Sequence, residues 1–146
     1  MERRQFGLFR SKTYLKGRYP TGEQADPIKE LTFFRGDTVR FELQVFTEED
    51  ELLDLTDFDI VFTVKCEEWD DVVLFQATAA ADPSYVTVLD AALGVLQLTI
   101  PPGMTETFLP RGYVFDVELT RSSDGFRQTV IREVFNIVRD ITTPTP

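Results

Sequence analysis

Between residues 31 and 138 apolar side chains recur at every second position in short runs, the period of a strand with one buried face. In TVRFELQVF (38–46), Val39, Phe41, Leu43 and Val45 share one face, while Arg40, Glu42 and Gln44 share the other. DIVFTVKC (59–66) turns Ile60, Phe62, Val64 and Cys66 inward, and GVLQLTI (94–100) does the same with Leu96, Leu98 and Ile100. YVFDVELT (113–120) follows with Tyr113, Phe115, Val117 and Leu119. QTVIREVFNIV (128–138) has no single phase, because Ile131, Phe135 and Ile137 hold one parity and Val130, Val134 and Val138 the other. That conflict predicts a bulge or burial on both faces.

Turn residues fall between the runs: Gly36-Asp37, the acidic stretch 48–51, Asp82-Pro83-Ser84, Gly94 and Ser122-Ser123-Asp124-Gly125. The last is a hairpin signal. Helix is expected only as one turn in TETFLPRG (105–112), capped by Thr105, with Phe108 and Leu109 inward, ended by Pro110 and released at Gly112. Many short strands at this spacing predict an all-β fold, an immunoglobulin-like antiparallel β-sandwich. The sandwich is expected over 28–142, preceded by an extended arm over 1–27 and followed by a short Pro/Thr-rich tail at 143–146.

Charge also divides the chain, at residue 20. Residues 1–20 carry six cations, Arg3, Arg4, Arg10, Lys12, Lys16 and Arg18, against Glu2, a charge of +5. The other 126 residues hold nine Lys/Arg against 24 Asp/Glu, a charge of −15. Phe6, Phe9, Tyr14 and Tyr19 interleave with those cations, a composition suited to docking on a partner protein through aromatic anchors and charge complementarity. Phe6 and Phe9 are the expected anchors and Arg3, Arg4 and Arg10 the register-setting charges. A disordered tail and a nucleic-acid-binding arm are the competing readings, and the acidic body opposes the second. The whole set, Arg3, Arg4, Phe6, Phe9, Arg10, Lys12, Tyr14, Lys16, Arg18 and Tyr19, is the candidate partner-binding site.

The absence of histidine and the single Cys66 remove Ser-His and Cys-His nucleophile pairs, His/Cys metal clusters and an internal disulfide. The expectation is a protein without enzymatic activity, cofactor or metal. Neither a signal-peptide pattern nor an apolar run of spanning length is seen, so a soluble protein without membrane contact is expected. Asp54, Asp57 and Asp59 crowd one stretch, where a solvated loop outweighs a weak calcium site or a glycosidase pair. Arg35-Gly36-Asp37 spells an adhesion tripeptide but sits where a tight turn is needed. Cys66 reads as a small inert hydrophobe. Trp69, flanked by Glu67-Glu68 and Asp70-Asp71, is expected to be partly buried and is a possible exposed contact; a sugar platform would need further aromatics such as Tyr85.

Four elements carry a resemblance: Gly36-Asp37 opening the first long strand, Asp54-Leu55-Thr56 before the second, the step from Thr105 through Leu109 to Gly112-Tyr113, and Asp140-Ile141-Thr142 at the close. In this order the chain resembles a β-sandwich of tailed-bacteriophage structural proteins, similar to the N-terminal domain of siphophage upper baseplate proteins. The likeness spans about 31–142; the basic arm is not part of the family pattern. It implies a non-enzymatic virion component, assembled in the host cytoplasm as a homo-oligomer or symmetric multicopy array with other virion proteins. A tail, baseplate or neck adaptor is the first reading, capsid decoration the second, and a host-surface carbohydrate-binding module the alternative from another class.

Overall fold

A computed structural model of the chain describes the backbone of 9–11 and residues 31–47 and 51–139. The described strands are β1 (Phe9–Ser11), β2 (Thr32–Phe34), β3 (Val39–Thr47), β4 (Phe58–Lys65), β5 (Phe75–Thr78), β6 (Val86–Asp90), β7 (Val95–Ile100), β8 (Arg111–Arg121) and β9 (Arg127–Val138), with one short helix, α1 (Pro102–Thr105), between β7 and β8. They form a sandwich of two sheets, in the orders β1-β3-β7-β6 and β2-β9-β8-β4-β5. All pairs are antiparallel except β2 with β9, which run parallel. In immunoglobulin terms the first sheet is A-B-E-D and the second contains G-F-C with one further strand beside C. The all-β, immunoglobulin-like expectation is therefore met. Among the described residues no helix is long and apolar enough to cross a membrane.

The alternation read from the sequence is what fills the space between the sheets. Phe41 of β3 stacks on Phe115 of β8 with ring centroids 4.6 Å apart, and Phe62 of β4 meets Phe115 edge-on at 5.8 Å. In many immunoglobulin domains a disulfide joins strands B and F beside a tryptophan on strand C. Here three phenylalanines stand on those three strands. Phe135 and Phe33 extend the cluster. Tyr113, two residues before Phe115, sends its hydroxyl back to the carbonyl of Leu109 at 2.6 Å. This is the tyrosine corner of the fold, and burial raises the phenol's pKa above its ordinary value.

β9 resolves its mixed parity with a bulge. Val117 pairs with Ile131 but Glu118 pairs with Thr129, so Val130 is the extra residue and both Val130 and Ile131 are buried. Beyond the bulge a single phase returns, and Val134 lies exposed on the outer face. Gly94 fits where no other residue does: its φ is +72°, and an added Cβ would lie 2.6 Å from the Val45 carbonyl oxygen and 2.7 Å from that of Leu53.

Three elements differ from the sequence reading. The helical turn is shifted to Pro102–Thr105, because Pro102 suits a first helical position, where its missing N–H costs nothing. Thr105 then ends the turn and is not its cap; its buried hydroxyl donates to the Asp37 carbonyl at 2.7 Å, pinning α1 to the start of β3. Phe108 is buried as expected, but Leu109 is turned out to solvent, 68% exposed, while its carbonyl serves Tyr113. The strands β5 and β6 went unread, since each is short and β6 buries only Val86. Within the expected arm, Phe9–Ser11 pairs with Val45–Thr47, covering backbone groups of β3 that would otherwise form an open edge. Residues 48–50 of the expected acidic turn at 48–51, the closing Asp140–Thr142 and the tail 143–146 lie outside the described residues.

An inward position in the middle of β9 is charged. Glu133 sits directly opposite Phe115, so it shares the core-facing parity, half-buried on the part of β9 that β2 does not cover. Burial raises its pKa, partly offset by a hydrogen bond from the Val134 N–H. A raised carboxyl pKa means that the folded chain holds this proton more firmly than the unfolded chain. Glu133 thus favours folding at acid pH and opposes it once the pH has risen past the raised value. Glu133→Gln is expected to raise the melting temperature at pH 7, with the gain vanishing below pH 4; a lower melting temperature at pH 7 would contradict this placement. Phe41→Ala is expected to cost about 3–5 kcal/mol in urea unfolding, and a loss below about 1 kcal/mol would show that the stacked pair does not join the sheets.

Candidate docking surface

The outer face of the five-stranded sheet carries exposed apolar and charged groups beside the β4–β5 connection. On β8 the outward positions near its start are Gly112, Val114 and Asp116, and on β9 they are Arg132, Val134 and Asn136, paired residue for residue. Lys65 of β4 lies across from Val114 on the other side. The β4–β5 connection, 66–74, is held at this face by two ion pairs: Arg111 to Glu67 at 2.6 Å and Arg132 to Glu68 at 2.9 Å. Arg111 also donates to the Cys66 carbonyl and lies 5.6 Å from the Tyr113 ring centroid. Inside the loop the Asp70 N–H donates to the Glu67 carbonyl, and the Val72 N–H to the Asp70 carboxylate.

Between the strands and this loop lies a hollow of about 420 Å³, floored by Gly112, Val114 and Val134 and walled by Cys66 and Tyr113, with Glu67 and Arg111 on its rim. A Cβ added at residue 112 would come to 3.1 Å from Asn136 Oδ1 and 3.7 Å from Val134 Cγ1. Beside it Arg132 stands 3.9 Å from Asp116. Burial raises the Asp116 pKa, and the nearby Arg132 and Lys65 charges pull it back. These charges form alternating pairs across strands, an arrangement that fixes side chains and offers charge to a partner.

The structure locates the candidate residues unevenly. Phe9 and Arg10 belong to β1, described by its backbone alone. Arg3, Arg4, Phe6, Lys12, Tyr14, Lys16, Arg18 and Tyr19 lie outside the described residues. Trp69 is 76% exposed, more than the partial burial expected of it, because the ion pairs of Glu67 and Glu68 place the loop without burying the indole. Tyr85 packs edge-on against Phe75 and is half-buried. Cys66 is half-buried against the core, and Arg35-Gly36-Asp37 forms the β2–β3 turn, closed by the Asp37 N–H on the Phe34 carbonyl. Asp54 caps a 3-10 turn by accepting from the Thr56 N–H at 2.9 Å and the Thr56 hydroxyl; those bonds lower its pKa. Asp59 accepts from the Ile60 N–H.

Sequence reading missed Arg111, Arg132, Gly112 and Val134 as a group. The one signal was the second valine parity of β9, which includes Val134 and Val138.

No family model matches the chain, and no curated protein matches it significantly. Among solved structures it is similar to CopC from Methylosinus trichosporium OB3b, with 10% identity and a TM-score of 0.46 over 91% of this chain and 100% of that one. It is similar to murine CRIg at 14% identity and a TM-score of 0.39, covering 77% of this chain and 92% of that one. A third, dimeric latent PorU from Porphyromonas gingivalis, has 13% identity and a TM-score of 0.47 over 94% of this chain, which spans 13% of that one. At such values the likenesses carry no argument about activity or partners.

Exposed ion pairs contribute little to stability but can position a loop. Arg111→Met combined with Arg132→Met is expected to leave the melting temperature nearly unchanged and to speed chymotryptic cleavage at Trp69 several-fold. Unchanged cleavage would mean that the loop is held by something else.

Proposed function

We propose that the protein is a non-enzymatic, multicopy structural component of a tailed-bacteriophage particle, a tail-side baseplate or neck adaptor that docks to neighbouring virion subunits through its N-terminal arm. The reading rests on the positions of the resemblance-bearing residues in the fold. Gly36-Asp37 turns β2 into β3, and its Asp37 carbonyl receives the Thr105 hydroxyl. Asp54-Leu55-Thr56 builds the capped turn that opens β4, with Leu55 buried. The step from Thr105 to Tyr113 contains the tyrosine corner. Three of the four elements that carry the resemblance thus lie at corners between strands, and Asp140-Ile141-Thr142 lies outside the described residues.

The docking surface lends further support. Trp69, Val134 and Leu109 are exposed apolar side chains, and arginine with aromatic residues is the composition favoured at protein interfaces. Capsid decoration would use the same arm and the same surface. The exposure of Trp69 also favours the carbohydrate-binding reading, which is weakened by Tyr85 being packed on Phe75; loss of glycan-array binding on Trp69→Ala would bring that reading forward.

The deciding experiment is immunogold labelling of purified particles with an antibody raised to residues 31–142. Gold at the tail tip or neck is the expected result, and gold over the heads would move the protein to capsid decoration. No gold, with denatured particles also lacking the chain, would overturn the virion assignment.

A further inference from the structure

We propose that the hollow over Gly112, Val114 and Val134 receives the basic segment ahead of β1 from a second copy of this chain, with Phe6 in the hollow and Arg3 and Arg4 against the acidic loop 67–71. This rests on the reading of the arm as a docking element and identifies its partner.

The hollow suits an aromatic side chain: about 420 Å³ with an apolar floor, within the range of volumes that take up small organic groups. Its loop carries four acids in five residues, Glu67, Glu68, Asp70 and Asp71. Arg111 and Arg132 answer two of them, which leaves the loop net negative. The segment before β1 is its counterpart, with Arg3, Arg4 and Phe6 closely spaced.

Geometry then points to another copy. Phe9 pairs with Thr47 at the far end of β3, so the chain ahead of β1 departs from that end. The hollow lies at the other end: Val39 at the start of β3 pairs with Ile100, and the chain continues from Ile100 through α1 to Arg111 on the rim. β3, nine residues long, spans about 30 Å at ~3.4 Å per residue. From Phe9 back to Phe6 the chain reaches only about 10 Å. Phe6 therefore falls short of the hollow of its own chain. A contact between one end of a copy and the opposite end of the next is heterologous, so it closes into a ring or propagates as a filament.

The test uses the full chain with a benzophenone amino acid in place of Phe6, mixed with isotope-labelled full chain. Photocrosslinks are mapped by mass spectrometry. Crosslinks between copies at 66–71, 112–114 or 134 are expected; crosslinks confined to the same copy, or elsewhere, would overturn the proposal. Sedimentation provides the second readout. Phe6→Ser, or Arg3→Glu with Arg4→Glu, should weaken self-association about tenfold or more, and Asp70→Lys with Asp71→Lys should restore the charge-reversed chain. Val134→Lys should mimic the loss, with a circular dichroism melt confirming that it folds. A wild-type chain that stays monomeric, while Phe6→Ser still loses incorporation into particles, would refute self-docking and leave the adaptor reading standing. Incorporation unaffected by Phe6→Ser would remove both.

Discussion

The stacked contact of Phe41 on Phe115 ties the two sheets together, and the rest of the molecule is arranged around it. With a single cysteine, the chain cannot place an internal covalent bridge between β3 and β8. Aromatic rings on β3, β4, β8 and β9 fill the space instead, mostly in tilted or edge-on contacts, the geometries that ring quadrupoles favour. The cluster also sets register, since a slip of one residue in β8 would turn Phe115 outward and bring Asp116 into the core. The bulge at Val130 and the tyrosine corner at the start of β8 keep that register at both ends of the strand.

Once the inner faces are committed to this core, the outer face of the five-stranded sheet is defined by subtraction. Gly112, Val114 and Val134 face outward because Tyr113, Phe115 and Phe135 face inward. Arg111 and Arg132 reach from β8 and β9 to the same connecting loop and hold it by its glutamates. Those exposed pairs add little free energy, but they hold the loop that presents the Trp69 indole to solvent.

On the proposed reading, the acidic body and the basic start of the chain are two halves of one electrostatic scheme. Like-charged bodies repel at distance, and a basic segment offers a local bridge across that repulsion. β1 gives this scheme a geometry, because pairing with β3 sets the end of the sandwich from which the preceding residues depart.

The inward residues of β3, β4, β7 and β8 were legible along the chain, because a strand with one buried face writes its geometry into a period of two. The Ser122–Gly125 hairpin and the irregularity of β9 were legible for the same local reason. β5 and β6 were not, being too short or too exposed to display a period, nor was β1, whose pairing depends on an open edge made by residues far along the chain. The docking surface was the least legible part. Glu67 meets Arg111, and Glu68 meets Arg132, across sequence separations of 44 and 64 residues, and the hollow is lined by three separate segments of the chain. The sequence by itself determined the class of fold, the inward faces and the charge division, all properties of neighbours in the chain. Sheet order, the exposure of Trp69 and the hollow came from the pairing of distant strands, which local periodicity does not encode.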